Sequence, residues 1–195
     1  MSAEAVPPQR QPWPGPDLRR QRLANHTVED VLSLPDDAPR VELRDGVMIV
    51  VPSPTIGHQE ISSLLWHWFR RHAPLEFRPS VATGVLIDAV QTFEPDVLLL
   101  HRETINVESH YSTPDQVALV VEVVSPSTRR RDRLEKPVGY AAAGIRHFWR
   151  VEQDPVHIYA YELVDGGYQL VADSADELVL AKPFELRLPI RDVTP

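Results

Sequence analysis

Two carboxylates stand where carboxylates are expensive. Ala118-Leu119-Val120-Val121-Glu122-Val123-Val124 is apolar on both faces except at Glu122, the pattern of a buried central strand that carries one charge. A lone buried carboxylate costs several kcal/mol unless it is paired, protonated or bound to a metal. Its plainest partner is an arginine such as Arg129 or Arg146 in a structural salt bridge. Asp96 makes a similar case. Pro95 fits the first position of a strand, where its missing N–H does least harm, and Val97-Leu98-Leu99-Leu100 continues into the core. Asp96 could instead cap a turn or strand end. Two acids on two core strands suit a hard cation such as Mg²⁺ or Mn²⁺, which takes oxygen ligands, usually one or two carboxylates with water and substrate phosphate.

The elements that must position these acids are legible from periodicity and turn residues. Thr27 predicts the cap of a short helix through Val28, Val31, Leu32 and Leu34, with Asp30 supporting the cap and Pro35 ending the helix. Val41 to Val51 reads as a hairpin turned by Asp45-Gly46, closed by Pro52 and Pro54. Ile61, Leu64, Leu65, Trp68 and Phe69 fall at helical spacing and form one apolar stripe suited to packing on a sheet. His58, three residues before Ile61, shares that inward face; a lone histidine there is more often a satisfied core residue than a ligand, and His58 ranks second to the acids as a site residue. Strands are predicted near Glu76 to Val81, Val85 to Asp88, Asp96 to His101 and Val117 to Val124. A helical stretch follows from about Thr128 to Ala143, with Ser127 or Thr128 as its cap. Arg146 to Val151, Val156 to Leu163 and Tyr168 to Val171 are further predicted strands, the last two turned by Asp165-Gly166-Gly167. The expected fold class is α/β or α+β: a mixed central sheet flanked by helices, with extra strands at the C-terminal end.

Composition narrows the chemistry. The chain of 195 residues has 43% hydrophobic content and fits one domain. The domain is expected over residues 25–195, because residues 1–24 hold five prolines within the first 17 positions and read as a disordered tail. There is no cysteine, which excludes disulfides, thiolate zinc sites and cysteine nucleophiles. No apolar run reaches the roughly 20 residues of a membrane span, and a cytoplasmic location is expected. A net charge of -8 argues against tight nonspecific binding to nucleic acid, so any DNA contact must be local. The cluster Arg129, Arg130, Arg131 and Arg133 is the candidate patch, although such a run is commonly a solvated helix surface. A Gly-rich phosphate loop, a His-x-x-x-His pair and a nucleophile elbow are all absent.

Several short motifs occur in a telling order: Glu42-Leu43-Arg44-Asp45-Gly46, Pro52-Ser53-Pro54 with His58, Pro95-Asp96-Val97, Val121-Glu122-Val123-Val124-Ser125-Pro126-Ser127-Thr128, Asp132 with Lys136 and Tyr140, and Gly144-Ile145-Arg146-His147-Phe148-Trp149. Over about residues 26–190 the chain resembles the bacterial Uma-type putative restriction endonuclease family, whose fold is that of the PD-(D/E)XK nucleases.

The resemblance implies a metal-dependent endonuclease acting on DNA. Asp96 and Glu122, with the backbone carbonyl of Val123, would be the Mg²⁺ ligands, and Mn²⁺ a possible substitute. It also implies a lysine two residues after the second acid. Val124 stands there, on the same strand face as Glu122, and cannot do a lysine's work. Lys136 on the next helix is the candidate in its place, although an i, i+4 surface pair with Asp132 would be the ordinary meaning of its spacing. Pro137 directly after it disfavours helical geometry there, and Gly139 weakens the helix further. Glu42, in the family's Glu-Leu-x-Asp-Gly motif, would be a third acid that binds the metal or orients water, or else an exposed strand residue paired with Arg44 or Arg40. A homodimer suits an enzyme that cuts both strands. The alternatives are a non-catalytic module that keeps the nuclease fold and binds nucleic acid or protein, and a metal-free carboxylate-pair enzyme such as a glycosidase.

Overall fold

The Asp45-Gly46 pair turns the chain as its residue types require. Both take positive φ, 48° and 75°, the left-handed geometry that closes a two-residue hairpin. β1 (Val41–Arg44) and β2 (Val47–Val50) pair antiparallel across it, Leu43 opposite Met48. The computed structural model describes residues 25–35, 37–126 and 129–195. The proline-rich segment 1–24 and the proposed caps Ser127 and Thr128 lie outside the described residues.

Before the hairpin, α1 (Val28–Leu32) begins after Thr27, whose N–H donates to Asp30 Oδ2 at 2.8 Å, and it closes at Ser33, short of Leu34. After it, the apolar stripe forms α2 (Ile56–His72), burying Ile61, Leu65, Trp68 and Phe69, while Leu64 sits at the margin. Then come β3 (Phe77–Ser80), β4 (Gly84–Asp88), β5 (Gln91–Phe93), β6 (Val97–His101), β7 (Tyr111–Ser112) and β8 (Val117–Val123). Beyond α3 (Lys136–Ala142) lie β9 (His147–Gln153), β10 (Val156–Val164), β11 (Gly167–Ser174), β12 (Glu177–Leu180) and β13 (Leu186–Pro189). β5, β7, β12 and β13 were not foreseen as strands. The first two are too short to show a period of two.

The central sheet has the order β11-β10-β9-β8-β6-β3. Its neighbours pair antiparallel except β8 and β9, which run parallel because the segment carrying α3 crosses between them. β8 is buried along its whole length and divides its side chains by alternation. Leu119, Val121 and Val123 join α2 in one core cluster, whereas Val120 belongs to a second cluster that contains Tyr140 of α3, Phe93 and Phe148. Glu122 follows Val120 on the α3 side. No described helix is long and apolar enough to cross a membrane.

Candidate active site

β6 and β8 bring the two acids face to face. Their antiparallel register sets Val97 opposite Val121, and one residue further it sets Asp96 opposite Glu122. Glu122 is 1% exposed. Lys136 Nζ donates to its two oxygens at 2.8 and 2.9 Å, and the Tyr140 hydroxyl donates to Oε1 at 2.6 Å. The partner of the buried charge is therefore Lys136, not Arg129 or Arg146. Burial pushes the Glu122 carboxyl up to about 8; the Lys136 ammonium pulls it down, and the charges of Asp132 and Asp96 add to the rise.

Asp96 is held differently. Its Oδ2 accepts the Val123 N–H at 2.7 Å and lies 3.2 Å from His58 Nε2. His58 stands in the first turn of α2, where its N–H donates to the capping Thr55 Oγ1 at 3.3 Å, so the helix start aims the imidazole at the acid. Burial opposes a charged His58, yet the hydrogen bond to Asp96, that carboxylate's charge and a backbone bond to Val123 outweigh it and raise the imidazole above its usual value.

The sequence spoke against Lys136 because of Pro137, and the backbone resolves the conflict. Arg131–Glu135 form a π turn, in which the Lys136 N–H donates to the Arg131 carbonyl, and Lys136 itself is helical at φ −60° and ψ −44°. Pro137 then falls in the first turn of α3, where a missing N–H is least costly. π turns of this kind are frequent at functional sites. Lys136 is 5% exposed, so it is no surface lysine, and its i, i+4 contact with Asp132 at 3.7 Å is a buried one. Gly139 also gains a reason beyond helix weakening: a Cβ there would lie 2.5 Å from the Phe93 ring, so only glycine lets α3 settle against β5.

Glu42 is buried rather than exposed, at 1%. The hairpin is fastened beside β5, where Leu43 N–H donates to Thr92 Oγ1 at 2.8 Å and Glu94 N–H to Glu42 Oε1 at 3.1 Å. Its ionic partners are Arg131 and, at 3.3 Å, Lys136. Arg40 turns to Glu94 and Arg44 to Glu135 instead. The arginine run divides: Arg131 lines the cleft, Arg133 pairs with Glu152 at 2.8 Å, and Arg130 lies in solvent beside Glu135. Sequence reasoning placed Arg131 only within a candidate basic patch and gave Tyr140 no individual role. Asp132, Lys136 and Tyr140 recur every fourth residue, and that spacing was the available signal that one helix face serves Glu122.

Glu42, His58, Asp96, Glu122, Arg131 and Lys136 thus line one cleft of about 390 Å³. Among the described residues no three His, Asp or Glu side chains form a ready-made metal cage. The donor set nonetheless fits Mg²⁺, which dehydrates reluctantly, keeps several waters and needs only one or two carboxylates. Asp96 Oδ1 accepts no hydrogen bond from a described residue, and the side chain is 21% exposed in the cleft, so an oxygen is available.

The comparisons with known proteins bear on the fold and the family. The crystal structure of a putative nuclease belonging to DUF820 from Anabaena variabilis ATCC 29413 superposes with a TM-score of 0.64 at 19% identity, covering 86% of this chain and 96% of that one, and so shares the fold. No curated protein matches the chain in sequence. The family model for Uma2, described as putative restriction endonuclease, matches residues 28–191, and over that span the chain belongs to the Uma2 family.

Proposed function

We propose that the protein is a Mg²⁺-dependent endonuclease that hydrolyses DNA phosphodiester bonds, with Mn²⁺ able to replace Mg²⁺. The observation that carries this reading is Lys136 Nζ at 2.8 Å from Glu122, opposite Asp96 in one cleft. Two acids and an amine meet there, although the amine comes from a helix and the usual strand position holds Val124. Asp96, Glu122 and the Val123 carbonyl would hold the ion. When bound, it supplies positive charge that acidifies water and offsets charge gathering on the scissile phosphate.

The chain's own groups do the rest. Lys136 orients the attacking water or neutralises the phosphate, and it can do so without leaving the cleft because Glu42 and the Glu94 carbonyl also accept its protons. Glu42 keeps Arg131 at the cleft wall, where a guanidinium suits an incoming phosphate. A cytoplasmic location and a two-fold dimer fit an enzyme that cuts both strands of DNA.

Cleavage of varied DNA by wild type and by Asp96→Ala, with Mg²⁺ and with EDTA, is the direct trial. Cleavage is expected from the wild type with Mg²⁺ alone, and equal activity in both proteins removes the proposal. A second reading, a non-catalytic binding module on the nuclease fold, draws on the occupation of both Glu122 oxygens by Lys136. Calorimetric titration that registers no Mg²⁺ or Mn²⁺ binding would favour it.

A further inference from the structure

We infer that His58 and Tyr140 are positioning residues that each fix one oxygen of the acid pair, so that Asp96 Oδ1 and Glu122 Oε2 are the oxygens offered to a divalent ion. This inference rests on the nuclease reading above and specifies how its ligands are prepared.

Tyr140 is fully buried, and its ring stands edge-on to Phe93, with centroids 5.2 Å apart at 78°, while Phe148 packs at 6.1 Å. The ring therefore has little freedom, and the hydroxyl that donates to Glu122 Oε1 at 2.6 Å is held in place. Oε2, in contrast, accepts among the described residues only from the Lys136 ammonium, at 2.9 Å. That ammonium has other acceptors at hand in Glu42 at 3.3 Å, the Glu94 carbonyl at 3.4 Å and Asp132 at 3.7 Å. It can release Oε2 and still be neutralised.

Asp96 is prepared in the same manner from the opposite side. Its Oδ2 is shared by the Val123 N–H and His58 Nε2. The His58 main chain is tied at both ends, its N–H to Thr55 Oγ1 and its carbonyl accepting the Ser62 hydroxyl at 2.9 Å. A carboxylate with one oxygen anchored loses less rotational freedom when the other binds a cation. Groups that orient ligands in this way typically change metal affinity when removed, by roughly 10- to 100-fold.

The test is calorimetric titration of the full chain with Mn²⁺ alone, for wild type, Tyr140→Phe, His58→Ala and His58→Gln. Urea unfolding of each, in EDTA and at saturating Mn²⁺, runs beside it. Tyr140→Phe and His58→Ala should each weaken Mn²⁺ binding by about tenfold, and His58→Gln, whose amide can still donate to Oδ2, should recover most of the loss. A purely structural role would lower stability equally with and without Mn²⁺ and leave the Mn²⁺ affinity unchanged, and that result overturns the inference while the nuclease reading stands. Absence of Mn²⁺ binding in the wild type overturns both.

Discussion

Replacing Glu122 by glutamine in the metal-free protein should remove a dependence of stability on pH. The folded state raises this carboxyl from its ordinary 4.5 to about 8, chiefly by burial. Folding therefore retains a proton that the unfolded chain gives up. The resulting stability is fully present below pH 4.5 and is lost as pH rises through 8. The full span is worth on the order of 5 kcal/mol, and the part between pH 6 and 8 about 2 kcal/mol. Glutamine keeps the volume and can still accept the Tyr140 hydroxyl, but it does not titrate. Urea unfolding in EDTA at pH 6, 7 and 8 measures the difference directly: across that interval the wild type should lose about 2 kcal/mol relative to Glu122→Gln. Parallel curves would refute the reasoning, because they would mean that Lys136 keeps Glu122 ionised in the folded protein throughout.

Other perturbations probe the remaining parts. Mn²⁺ binding below pH 8 should release a proton from Glu122, seen as a binding enthalpy that changes between buffers of different ionisation heat. Lys136→Met should abolish DNA cleavage while keeping or tightening Mn²⁺ binding, since the ammonium no longer competes for the acid; cleavage assays and calorimetry separate the two. Gly139→Ala should destabilise by about 1–3 kcal/mol in urea unfolding, despite alanine's better helix propensity, because the added Cβ meets Phe93 at 2.5 Å. Trp149→Ala, at a position 1% exposed between the sheet and α2, should cost about 3–5 kcal/mol with an unchanged denaturant slope.

Elements governed by neighbouring residues were legible in the sequence. The hairpin at Asp45-Gly46, the stripe of α2 and the apolar run of β8 each follow from local spacing, and an acid inside an apolar run stands out without any structure. What escaped depends on distant pairing. For Glu42 the sequence left an exposed strand residue open beside a third acid of the site, because nothing near it announces that Arg131 and Lys136 pack over it. Lys136 looked compromised by Pro137, since residue preferences do not reveal a π turn that shifts the proline into a tolerant position. Tyr140 sat within a recognised motif, yet only the docking of α3 on the sheet brings its hydroxyl to Glu122.

The route by which the amine reaches the acid has a consequence for inactivation. A lysine on the same strand as its acid would stay beside it as long as the sheet survives. Here Glu122 belongs to the fully buried β8, whereas Lys136 arrives on a seven-residue helix seated on Phe93. A short helix with one face in solvent, where Val138 is exposed, opens locally at lower free energy than a central strand buried on both faces. Mild heat or denaturant should therefore undock α3 and silence the site while most of the sheet remains intact, so activity would vanish before the global melting signal moves.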